Sequence, residues 1–185
     1  MEVSTVGTLK YAILGLLNKK SMTGYELKKE FETTLFEFWN AKHSQIYPEL
    51  KALTENGLVE YKIEITGNVL EKKVYSITQS GRDEFIKWVN KRQKIKTIPK
   101  DEFRLQLYFS GSMEPKERLS LLNDMLKQHK ERLKELGEIS KKFEPSPPKD
   151  EERFCDYMVF LGAVAREKAQ CQWLEKCIAL CRQRQ

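Results

Sequence analysis

Apolar residues at the start of the chain recur at helical spacing. Leu9, Ile13, Leu16 and Leu17 predict a first amphipathic helix, which the stretch Ser21-Met22-Thr23-Gly24 ends. Thr23, with Glu26 three residues on, has the form of a capping box and opens a second helix striped by Tyr25, Leu27, Phe31 and Leu35. An aromatic connection over 36–40 follows, with Phe38 and Trp39 expected to plug the core. A third helix is expected from near Ser44, because Pro48 suits a first helical turn and would break an interior one. Ile46, Leu50 and Leu53 then face inward, and Gln45, Tyr47 and Lys51 project along other faces. Gly57 suits the position just past the helix end.

Beyond Gly57 the period changes to two. Val59, Tyr61, Ile63 and Ile65 alternate with Glu60, Lys62 and Glu64, and Val74, Ser76 and Thr78 interleave with Tyr75 and Ile77. This predicts a two-stranded antiparallel hairpin with Gly67 and Asn68 near its tip and Lys72 and Lys73 on the returning arm. Thr78 or Ser80 caps a fourth helix carrying Phe85, Trp88 and Val89. Three helices and a hairpin make a winged helix-turn-helix, assigned to residues 1–93.

The second half reads as helix. One segment carries Phe103, Leu107 and Tyr108 and ends at Gly111. Leu119, Leu122, Leu126, His129, Leu133, Leu136, Ser140 and Phe143 then hold the spacing of a heptad seam, which asks for a partner helix. Pro145, Pro147 and Pro148 separate it from a long last helix with Phe154, Tyr157, Leu161, Val164, Trp173, Leu174, Cys177 and Ile178. The two long helices, joined by a proline-rich turn, predict an antiparallel hairpin within a C-terminal helical dimerisation domain over 98–185. Apolar surface so extended would be wet in a monomer, so a homodimer is expected, held by Leu119, Leu122, Leu126, Leu133, Leu136, Phe154, Leu161 and Trp173. The fold class is mainly α with a small β-hairpin wing.

Composition narrows the function. The 185 residues carry 33 Lys and Arg against 27 Asp and Glu, a formal charge of +6 that permits an anionic partner. The cations are mixed with acids, so there is no polybasic tail. Neither a signal peptide nor an apolar run of about 20 residues is present, so a cytoplasmic protein with no membrane partner is expected. Cys155, Cys171, Cys177 and Cys181 lack zinc spacing and read as packing residues. His129 reads as a satisfied core histidine, and His43 is distant from it in sequence. With no phosphate loop, nucleophile elbow or zinc-protease string, the chain reads as a non-enzyme without cofactor, metal or catalytic residues.

A helix that opens with small polar residues beside a cation suits the base edges of a major groove. Ser44, Gln45, Tyr47 and Lys51 are therefore the candidate groove contacts, with Lys42 and His43 on phosphate and Lys72 and Lys73 at the wing. The competing readings make Ser44 a cap, Tyr47 a packing residue and the two lysines guards of a solvated strand edge. Phe38, Trp39, Trp88, Phe103 and Tyr108 are the aromatics available for an effector pocket between the domains.

Several strings give the chain a close resemblance to the PadR family of bacterial winged-helix transcriptional regulators. They are Leu14-Gly15-Leu16-Leu17, Thr23-Gly24-Tyr25-Glu26-Leu27, Gln45-Ile46-Tyr47-Pro48-Glu49-Leu50, Leu53 followed by Glu55-Asn56-Gly57-Leu58-Val59-Glu60, and Val74-Tyr75-Ser76-Ile77-Thr78. They span roughly the first half of the chain, and Gln-Ile-Tyr-Pro is the most specific. The helical second half resembles the longer branch of the family. The resemblance implies a homodimeric repressor on double-stranded operator DNA, released by a small aromatic or drug-like effector. It also places Tyr25 where the family reaches the DNA backbone. A different class of reading makes the winged helix a protein-protein interaction module with a helical scaffold, Glu49, Glu55 and Glu60 facing the partner.

Overall fold

The computed structural model describes residues 6–35, 39, 43–66, 70–95 and 99–184. The chain divides into two compact units, Met1–Lys96 and Thr97–Gln185.

The first unit runs α1 (Val6–Lys19), β1 (Met22–Thr23), α2 (Gly24–Thr33), α3 (His43–Glu55), β2 (Val59–Thr66), β3 (Leu70–Ile77) and α4 (Gln79–Val89). Its core collects the inward stripe of each helix: Leu9, Ile13, Leu16 and Leu17 from α1, Leu27 and Phe31 from α2, and Ile46, Leu50 and Leu53 from α3. Each such burial is worth about 2 kcal/mol. Met22, Val59 and Ile77 close the core from the sheet.

Helix ends fall where local chemistry satisfies them. Thr23 accepts from the Glu26 N–H, and Glu26 returns a bond to the Thr23 N–H at 2.7 Å, so both halves of the capping box are made. Gly57, at φ +67, turns the chain out of α3 while the Leu58 and Gly57 N–H groups donate to the Leu53 and Thr54 carbonyls. That is a Schellman end, which favours glycine in the left-handed region. Thr78 caps α4 and also donates from its hydroxyl to the Gly57 carbonyl, tying the two ends together.

Two expectations change here. The hairpin is not two-stranded: β1 adds to the returning arm, Met22 opposite Tyr75 and Thr23 opposite Val74, in the order β1-β3-β2. Pro48 does not mark the first turn of α3. It is the sixth residue of the helix, where its missing N–H removes one interior bond that the rest of the helix must outweigh. The packing of Ile46, Leu50 and Leu53, each at 2% exposure or less, supplies what the ladder loses. Gly67 and Asn68 lie outside the described residues.

The second unit runs α5 (Glu102–Phe109), a 3-10 turn at Ser110–Ser112, α6 (Pro115–Ser140), a 3-10 turn at Lys141–Phe143 and α7 (Glu151–Gln183). Arg118 holds the bend after α5 by donating twice to the Ser110 carbonyl, at 2.7 and 3.0 Å. The heptad seam of α6 finds its partner within the chain: Leu122 and Leu126 pack with Cys171, Leu174 and Ile178 of α7. His129 meets Glu167 across the seam, Nδ1 to Oε2 at 2.6 Å, and Lys130 meets Glu175 at 2.7 Å. Phe143 closes the far end on Tyr157 and Phe160.

Part of the surface expected at the dimer contact is engaged within one chain. Leu122, Leu126 and Leu136 are 0, 9 and 2% exposed within one protomer, so their apolar surface is already used. Leu119 and Trp173 pack against the same cluster. Leu133 and Phe154 are half-buried, whereas Leu161 stays 46% exposed. A seam of this spacing is filled equally well by a helix of the same chain or of another, and α7 folds back to fill it.

Candidate nucleic-acid interface

The exposed side of α3 follows from its buried side. With Ile46, Leu50 and Leu53 turned inward, Ser44, Gln45, Tyr47, Pro48 and Lys51 are left at the surface. Lys51 is held loosely, its ammonium 3.8 Å from Glu55 one turn on, with both side chains well exposed. A contact of that kind contributes a few tenths of a kcal/mol, so the lysine is available to a phosphate at little cost. Glu49 sits half-buried on the same helix, and desolvation raises its pKa above the ordinary carboxylate value while Lys10 opposes the shift. Of the side chains predicted here, that of His43 and the whole of Lys42 lie outside the described residues.

Tyr47 has two neighbours to satisfy. Its ring lies against Gly24, so close that a Cβ at that position would stand 2.7 Å from Cε1. The ring is nevertheless 46% exposed, so packing and an outward contact are both open to it. Tyr25, next in the chain, opens α2 with 69% of its surface exposed.

The wing separates its two predicted lysines. Strand pairing sets Lys72 opposite Glu64 and Lys73 opposite Ile63, and consecutive residues of a strand face opposite ways. Lys73 lies over the Tyr61 ring at 4.3 Å, a cation–π contact on the apolar face of the hairpin. Lys72 stands on the other face, where its charge, with that of Lys20, helps lower the Glu26 pKa below its ordinary value. The larger cause of that lowering is the pair of hydrogen bonds Glu26 makes to the backbone and hydroxyl of Thr23. From the sequence, Ser21 and Gly24 entered only as part of a helix break and a family string, and Lys20 not at all. The signal was there in the pairing of a capping box with a preceding lysine, but only the fold brings β3 alongside.

Residues 13–87 match the model of the transcriptional regulator PadR-like family, and residues 99–182 match the virulence activator alpha C-terminal family. The negative transcriptional regulator PadR of Bacillus subtilis (strain 168) is 41% identical over 175 residues, covering 93% of this chain and 96% of that protein. The chain belongs to the PadR-like family of transcriptional regulators.

Solved structures of that relative superpose closely. The crystal structure of Bacillus subtilis PadR with operator DNA matches at a TM-score of 0.88 and 41% identity, over 94% of this chain and 99% of the other. The structure with p-coumaric acid matches at 0.85 and 39%, over 95% and 99%. The PadR-like fold is thus mostly helical with a small three-stranded antiparallel sheet.

The aromatics expected at an effector pocket have structural partners within each unit. Trp39 packs partly buried against the first core, and Trp88 stacks on Tyr11 at 4.7 Å between ring centres. Tyr11 donates to Glu84 at 3.0 Å, and Lys10 reaches the same oxygen at 2.9 Å. In the second unit Phe103 meets Trp173 edge-on at 6.1 Å, while Tyr108 is 81% exposed beside Phe109. Phe38 lies outside the described residues. No helix among the described residues is long and apolar enough to cross a membrane.

Proposed function

We propose that this PadR-like chain is a cytoplasmic, homodimeric repressor, not an enzyme, that reads operator DNA with α3 and is released by a small aromatic acid. The observation that carries the reading is the fit to a relative solved on its operator, 41% identical and matched over nearly the whole of both chains. Ser44, Gln45, Tyr47 and Lys51 occupy the exposed side of α3, where base edges and phosphates are met. Lys42, His43 and Tyr25 serve the backbone. At the wing, Lys72 takes the phosphate role, and Lys73 is the weaker candidate because its ammonium is already engaged by Tyr61. The relative solved with p-coumaric acid supports an aromatic carboxylate as effector class. Trp39 and Trp88 in the first unit, or Phe103 and Tyr108 in the second, are the aromatic candidates to receive it.

The division into units supports a winged helix-turn-helix over 1–93 and a dimerisation domain over 98–185. The long α7 buries Cys171, Leu174 and Ile178 in its C-terminal half, while Met158, Val159 and Leu161 in its N-terminal half are 44 to 50% exposed. Of the expected contact residues Leu161 lies in that exposed stretch, and Met158 and Val159 beside it extend the surface offered to a second copy.

Duplexes captured by the purified protein from a randomised pool should share a two-fold symmetric motif, with half-sites about 10 bp apart or a multiple of that. Addition of p-coumaric acid should release them. Recovery of no motif would overturn the DNA reading, whereas a motif that persists with p-coumaric acid would overturn the effector class alone.

A further inference from the structure

The start of α2 is a junction of three parts of the reading head. On its N-terminal side β1 pairs with β3, the arm that carries Lys72, and Ser21 Oγ meets Ser76 Oγ of that arm at 2.8 Å. At its centre the Thr23–Glu26 capping box fixes the direction in which α2 leaves the strand. On its far side the Tyr47 ring of α3 lies on Gly24. We propose that Gly24 is a positioning residue for DNA reading: its missing side chain seats Tyr47 on the start of α2 and so ties the recognition helix to the wing.

The geometry makes this specific. A Cβ at Gly24 would stand 2.7 Å from Tyr47 Cε1, closer than such atoms come, and 3.1 Å from both Cζ and the hydroxyl oxygen, a tight contact. Gly24 is the first residue of α2, and the crowding against the Tyr47 ring leaves little room for a side chain there. Tyr47 stands two residues after Gln45, so a displaced ring shifts the first turns of α3 relative to Lys72. Base contacts require bidentate geometry within a fraction of an ångström, whereas phosphate contacts tolerate small shifts. The loss should then fall on sequence discrimination.

This inference rests on the DNA-reading proposal, and the experiment separates the two. Binding of wild type, Gly24→Ala, Tyr47→Ala and the double variant is measured by fluorescence anisotropy on the wild-type-selected duplex and on a scrambled one, alongside thermal melting. Gly24→Ala should weaken the selected duplex about tenfold, the cost of one base contact, and leave the scrambled duplex within about twofold. In the Tyr47→Ala background the same substitution should change nothing, because the atoms it would strike are gone. If Gly24→Ala alone fails to fold, the double variant should restore folding with the affinity of Tyr47→Ala. Wild-type affinity in Gly24→Ala, or losses that simply add in the double variant, would overturn the positioning role while leaving DNA reading intact. Equal affinity of the wild type for both duplexes would overturn DNA reading and this role together.

Discussion

Lys72 and Lys73 are neighbours in the chain, yet the pleat of β3 sends them to opposite faces. Lys73 spends its charge on the Tyr61 ring, and Lys72 stands beside the capped start of α2. If Lys72 neutralises a phosphate, Lys72→Ala should lower the slope of log K against log salt by about 0.9, the counterions released by one contact. Lys73→Ala should leave that slope unchanged. The two are distinguished by titrating one duplex across salt concentrations, and equal slopes for Lys72→Ala and wild type would make Lys72 a bystander. The sequence displayed both cations but not this difference, because a cation–π partner on a neighbouring strand depends on register.

Among the elements, the start of α2 and the α1–α4 contact are held by groups that titrate. Glu26 is lowered below its ordinary 4.5 by its bonds to Thr23, and Glu84 on α4 is lowered by its bonds from Lys10 and Tyr11. A carboxyl depressed in the folded state contributes stability above its unfolded pKa and loses it as pH falls through the folded one. Glu49, raised by burial, acts with the opposite sign and partly offsets the loss. Urea unfolding at about pH 7 and about pH 3 should therefore show a smaller acid loss in Glu26→Gln/Glu84→Gln than in wild type. Equal losses would mean that neither pair stabilises the fold.

The same elements show what could be read from sequence. The capping box, the inward residues of α3 and the glycine that ends it were legible because each depends on neighbours within a turn or two. Strand β1 was not, since two residues carry no period and their partners, Val74 and Tyr75, lie far along the chain. Pro48 misled because its local rule was outweighed by tertiary packing of the helix around it.

For the whole molecule, the heptad seam and the dimer are separate matters. Leu136 is 2% exposed inside the α6–α7 pair, so Leu136→Ala should destabilise the protomer by about 2–5 kcal/mol. Leu161 is 46% exposed, so Leu161→Glu should leave the protomer folded and shift light-scattering mass toward one chain. A dimer that survives Leu161→Glu would move the contact elsewhere on the second unit. Sequence showed apolar periodicity in both helices and predicted their antiparallel pairing, but not how much of the seam that pairing uses up.

If two copies of α3 read one symmetric duplex, anisotropy titration of the wild-type protein on its selected duplex and a scrambled one, at stoichiometric concentration and across salt, decides it. Two chains should bind per duplex, log K should fall steeply and linearly with log salt, and the selected sequence should be preferred by about a thousandfold or more. A folded dimer that binds both duplexes equally, or binds neither at low salt, would rule out that reading.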